Sequence, residues 1–112
     1  MSVEGYELRR IGQHGVVIVP AEVDATNSGE VRRALLAAAS QDLPILIIDM
    51  SGTTFCDSTG VQAIVAAYRQ AAANGTGLRL VATAALPILT VIGVDQLIPI
   101  YPDQEAALAA RP

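Results

Sequence analysis

Between Leu43 and Met50 the chain carries an unbroken apolar run rich in isoleucine. The run is too short for an ordinary helix, and no polar residue alternates through it, so it reads as a strand buried on both faces. Such a strand limits what the rest of the chain can do. It needs a layer on each side, and parallel neighbours reach it only through crossover segments long enough to hold a helix.

The flanking sequence supplies those parts. Tyr6 to Ile11 and Gly15 to Val19 read as two strands joined by a turn through Gly12, Gln13 and His14. Asn27 followed by Glu30 is a helix N-cap pattern, and Val31, Ala34, Leu35 and Ala38 then recur at helical spacing. Val61, Ile64, Val65, Tyr68 and Ala72 line a second helix, stopped by Asn74 and Gly75. Leu78 to Thr83 reads as a strand, Leu86 to Ile92 as a short helix stopped at Gly93, and Ile98 to Tyr101 as a short final strand. Pro102 and Asp103 open a last, alanine-rich helix. The expected fold class is α/β, a mostly parallel central sheet with an N-terminal β-hairpin and about four helices. No linker divides the 112 residues, so a single domain over 1–112 is expected.

Charge and composition remove several functions. The formal net charge is −4, with no basic stripe, which argues against a nucleic-acid partner. All seven basic residues are arginine, so mechanisms that need a lysine, the P-loop among them, are unavailable to the chain. Cys56 is the one cysteine, so no internal disulfide forms. Met1 to Arg10 lacks the features of a signal peptide, and the longest weakly polar run, Ala84 to Val94, is far short of a membrane span. A cytoplasmic protein without a membrane partner, a metal or a cofactor is the expectation.

In a sheet of this kind function concentrates in loops at the carboxyl ends of the strands. The loop after the apolar run reads Ser51-Gly52-Thr53-Thr54-Phe55-Cys56-Asp57-Ser58-Thr59-Gly60. Asp57 is placed to N-cap the following helix, and Ser58 and Thr59 then fall in its first turn. Free N–H groups and the helix dipole favour added negative charge there, so a hydroxyl at this place is a suitable phosphoacceptor. Ser and Thr at helix starts are more often plain caps, so the physics by itself leaves both readings open.

The stretch from Ile47 to Val61, with its strand ending in Asp49, its aromatic Phe55 and its Asp57-Ser58-Thr59-Gly60, resembles the signature of the STAS domain family of bacterial anti-sigma factor antagonists. Glu22-Val23-Asp24-Ala25-Thr26 resembles that family's loop before its first helix, and Ile92-Gly93-Val94-Asp95-Gln96-Leu97 its late Gly-x-Asp loop. One departure is visible: family members commonly carry Gly where this chain has Ala21. The resemblance implies a non-enzymatic regulator that binds an anti-sigma factor serine kinase and frees a sigma factor. It implies a switch by phosphorylation of Ser58, reversed by a phosphatase. The implied partner surface comprises Asp24, Asp57, Ser58, Thr59 and Gly60, on a monomer or weak dimer. Asp24 reads equally well as a turn residue leading into the first helix. The alternative role is a STAS subunit of another assembly, such as a stress-sensing complex or a lipid-transport ABC system.

Rival chemistries lack their parts. A Cys-x5-Arg phosphatase loop starting at Cys56 would need arginine where Gln62 stands, which leaves Cys56 as a small apolar loop residue. An aspartic-protease motif would need glycine where Thr59 stands, and a receiver built on Asp49 would need a lysine. His14 reads as a solvated turn residue, and Arg9-Arg10, Arg32-Arg33, Arg69 and Arg79 read as surface charges.

Overall fold

The computed structural model describes residues 2–111. Eight strands and four helices follow in the order β1 (Ser2–Val3), β2 (Tyr6–Ile11), β3 (His14–Ile18), β4 (Glu22–Val23), α1 (Ser28–Ala39), β5 (Ile45–Met50), β6 (Phe55–Cys56), α2 (Ser58–Ala73), β7 (Gly77–Ala82), α3 (Leu86–Ile92), β8 (Ile100–Tyr101) and α4 (Gln104–Ala109). A 3-10 turn, Val94–Gln96, follows α3.

Six strands form one sheet in the order β1-β2-β3-β5-β7-β8. β1, β2 and β3 pair antiparallel, while β3, β5, β7 and β8 run parallel. The α/β architecture expected from the sequence is therefore the observed one. β5 lies inside the sheet, and its side chains alternate between two cores. Leu46, Ile48 and Met50 join the large core under α1 and α2, whereas Ile47 joins Val16, Val81 and Ala107 beneath α4. Both faces are closed, which is why this strand carries no polar alternation.

Three short strands were not legible in the sequence. β1 pairs with β2 across a two-residue turn in which Glu4 (φ 50°) and Gly5 (φ 85°) are both left-handed, the geometry that hairpin twist favours. β4 and β6 form a separate two-stranded parallel ladder, Glu22 with Phe55 and Val23 with Cys56. A two-residue strand has no periodicity to detect, and these two find each other only through the fold.

Two side chains depart from expectation. Arg79 is not a surface charge: it is 4% exposed, on the α4 side of β7. Its Nη1 donates to the Ala107 carbonyl oxygen at 2.7 Å, one of the last carbonyls of α4, which the helix itself leaves without a partner. His14 is not a solvated turn residue either. It opens β3, half-buried, with Nε2 3.3 Å from Arg79 Nη1. Arginine has only donors, so the imidazole nitrogen is the acceptor in this contact. The turn itself is Gly12-Gln13, between paired Ile11 and His14.

Candidate functional site

Two loops meet beyond the carboxyl ends of β3 and β5. One is the β4–α1 connection, 24–27; the other runs from Ser51 to Asp57. The ladder of β4 and β6 clamps them together, and the clamp is extended by polar bonds. The Thr54 amide donates to the Ala21 carbonyl at 2.8 Å, and the Asp57 amide to the Val23 carbonyl at 3.1 Å. Thr53, fully buried, donates its hydroxyl to the Pro20 carbonyl at 2.9 Å. Ala21 has no positive φ, so alanine occupies this turn without strain, and the departure from glycine leaves the local fold intact. Asp49 closes the base of the site: one carboxylate oxygen accepts from the Ser51 amide and the other from Gln104 Nε2, both at 2.8 Å. Buried, with a partner on each oxygen, Asp49 ties the loop to α4.

Asp57 is the N-cap of α2, as the sequence implied. Its Oδ1 accepts from the Thr59 amide at 3.0 Å, the Gly60 amide at 3.3 Å and the Thr59 hydroxyl. The Thr59 hydroxyl bond is the main cause that holds its carboxyl below the ordinary carboxylate value; the Gly60, Thr59 and Ala25 amides act the same way, against a desolvation that raises it. Ser58 is the first helical residue and is exposed. Thr59, one residue on, is half-buried and has its hydroxyl committed to Asp57.

Gly60 is buried and faces inward. A Cβ there would lie 2.6 Å from Cys56 Sγ and 2.8 Å from Val23 Cγ1. The glycine lets α2 start hard against the β4/β6 ladder, so its contribution to the site is close packing and not exposed contact surface. Cys56 is buried, and burial raises its thiol pKa, with the neighbouring Asp57 charge adding to the effect. That suits the packing role and works against a thiolate nucleophile.

Asp24 stands near enough to Asp57 to feel its charge, which is among the influences that raise the Asp24 pKa. The hydroxyl of Thr26 outweighs it and holds Asp24 below the ordinary carboxylate value, helped by the Thr26 amide at 2.9 Å. The structure thus brings Asp24, Asp57 and Ser58 together at one end of the molecule, with Thr59 beneath. Asn27 does not cap α1 with its side chain. It closes the Asp24 turn instead, accepting from the Asp24 amide at 3.0 Å and donating to the Glu22 carbonyl at 2.8 Å. Sequence reading did not single out Phe55 as a surface residue, yet it is 53% exposed beside these acids. Its position after two threonines, ahead of a capping Asp, gives no periodic signal of which way it points.

Among the described residues, no group of three or more His, Cys, Asp or Glu gathers to hold a metal ion. Nor, among them, is any helix long and apolar enough to cross a membrane. An exposed hydroxyl thus stands at a helix start, near two acids and an exposed aromatic.

The family model for the STAS domain matches residues 6–107, and the chain belongs to that family. Solved structures agree. An anti-sigma factor antagonist from Mycobacterium paratuberculosis matches with a TM-score of 0.84 at 27% identity, over 92% of this chain and 89% of that one. The antagonist SpoIIAA matches in its unphosphorylated form (TM-score 0.70, 17% identity, 92% and 93% covered). The phosphorylated form of the Bacillus SpoIIAA matches as well (TM-score 0.66, 19% identity, 95% and 99% covered). The fold also occurs inside a larger protein, a murine solute carrier 26 anion transporter, where 89% of this chain aligns with 18% of that one (TM-score 0.71, 23% identity).

Proposed function

We propose that this protein is an anti-sigma factor antagonist, binding an anti-sigma factor serine kinase through the Asp24–Asp57–Ser58 end and switched off by phosphorylation of Ser58. The observation that carries the reading is the exposure of Ser58 at the first position of α2, next to a capping carboxylate and with a free approach from solvent. A kinase must bring its γ-phosphate in line with an accessible hydroxyl, and Ser58 offers one. Thr59 does not, because its hydroxyl is half-buried and bonded to Asp57. Binding, without chemistry, is the protein's own part. It has no lysine, one histidine held against Arg79, and a buried cysteine with a raised pKa. A phosphatase acting on phospho-Ser58 would reset the switch.

The test is incubation with the anti-sigma factor kinase of the same organism and ATP, followed by intact and fragment mass spectrometry. One phosphate is expected, localised to Ser58 and lost in Ser58→Ala. Phosphate on Thr59, or full labelling of Ser58→Ala, overturns the assignment. Capture of a transporter ATPase in place of a kinase would favour the role of a subunit in another STAS assembly.

A further inference from the structure

The outer surface of α2 continues past Ser58 into an apolar groove of about 380 Å³ between α1, α2 and α3. Val61, Val65, Ala66 and the exposed Ile92 give it apolar lining, and Gln62, Arg32 of α1 and Arg69 of α2 line it as well. The groove begins at Val61 and Gln62, one turn after Ser58, and runs to Arg69, about 16 Å along the helix axis from the phosphoacceptor. Beside it, α3 keeps only Leu89 buried and leaves Ile88, Val91 and Ile92 on the surface, Val91 at 85% exposure. These three are spaced i, i+3, i+4, one face of the helix, where a solvent-facing helix would carry polar residues. Apolar surface gathered in this way marks an interaction site.

The charges identify the occupant. Among the described residues the one ion pair is Arg9 with Glu7, so neither Arg32 nor Arg69 has an acidic partner, although the protein as a whole is acidic. We infer that the groove between α1, α2 and α3 docks an amphipathic, acidic helix of a partner protein, its apolar residues on Val65, Ala66 and Ile92 and its carboxylates on Arg32 and Arg69. A helix in a groove is anchored by residues at i, i+3 or i+4, and i+7, and charges at the rim choose its sequence. A second copy of this chain fits less well, because its own exposed apolar helix, Leu86–Ile92, contains no acid. An anionic lipid surface fits less well too, since the net charge of −4 opposes approach to it. The groove adjoins the Ser58 end, but the docking requires no phosphorylation, and the titrations below read the unphosphorylated protein.

The probe is a designed amphipathic helical peptide with leucines at i, i+4 and i+7 flanked by glutamates, and the same peptide with lysines for glutamates. Titrations are followed by amide chemical shifts of the isotope-labelled protein. The acidic peptide is expected to shift the amides of Val65, Ala66, Arg69 and Ile92. In the double variant Arg32→Glu, Arg69→Glu the preference should invert, the acidic peptide losing on the order of tenfold in affinity and the basic one gaining. Both arginines are exposed, so the variant keeps its fold, and its unperturbed amides report that directly. Equal binding of the two peptides, shifts elsewhere on the molecule, or no shifts at millimolar peptide overturns the inference. So does sedimentation showing a stable dimer that Val91→Asp dissociates, because a second copy would then cover the face.

Discussion

Gly60 shows most directly how a single residue builds the site. Its missing Cβ is the space into which Cys56 Sγ and Val23 Cγ1 pack. Gly60→Ala should therefore destabilise the domain by about 1–3 kcal/mol, overpacking outweighing the better helix propensity of alanine. Denaturant melts check this, and Cys56→Ala should recover part of the loss; a more stable Gly60→Ala protein would refute the packing role. The carboxylates add a pH dependence of known sign. Asp24 and Asp57 have folded pKa values lowered chiefly by the Thr26 and Thr59 hydroxyls. A lowered carboxyl pKa means the unfolded chain binds protons more readily, so this stability is fully present above the ordinary carboxylate range, about pH 4–5. It is lost as pH falls through the lower folded values. Asp57→Asn should flatten that acid limb in melts from pH 6 to pH 2, and an unchanged limb would contradict the assignment. Both residues could be found from sequence, Asp57 because a carboxylate before a helix is a local signal. The meeting of Asp24 with Asp57 could not, because it depends on the β4/β6 ladder joining segments some thirty residues apart.

Among the elements, β5 was the most legible and carries the heaviest consequence. Its Ile47 is fully buried under α4, with Val16 and Val81 beside it. Ile47→Asp would put an unpaired charge in an apolar layer, a cost of several kcal/mol against a total stability of roughly 5–15. Loss of the cooperative thermal transition by circular dichroism is expected, and a parent-like melt would mean the strand is not central. Helix stops were legible for the same local reason as caps. Gly75 (φ 72°) and Gly93 (φ 92°) adopt the left-handed geometry that ends α2 and α3. Asn27 stands at the N-cap position of α1 as its pattern implies, but its side chain and that of Arg79 bond to groups their positions did not suggest. The Asn27 amide closes the Asp24 turn, and the Arg79 guanidinium serves the end of α4, 28 residues away. A residue's type tells that it will make hydrogen bonds, and only the packed elements tell with what.

At the scale of the whole molecule, the proposed switch must change binding or change folding, and the structure favours binding. Ser58 is exposed, so a phosphate there meets solvent and displaces nothing from the core. It adds about −1.5 to −2 charge near neutral pH. The free amides and dipole at the start of α2 favour that charge by roughly 0.3–1 kcal/mol, and the neighbouring Asp57 carboxylate opposes it. Small contributions of opposite sign leave the domain standing. At a docked interface the balance changes. A partner shaped for a hydroxyl would have to take in a bulky, hydrated dianion between two carboxylates, and a loss of about 3–4 kcal/mol there corresponds to a hundredfold or more in affinity. Ser58→Asp should weaken binding in the same direction but less, and Ser58→Ala should bind without being switched. Calorimetry of both forms against the kinase, paired with melting curves of each form alone, separates the two accounts. A hundredfold loss of affinity with melting temperatures within a few degrees is expected. A large fall in melting temperature with unchanged affinity of the folded protein would show that the phosphate acts by loosening α2 from the β4/β6 ladder.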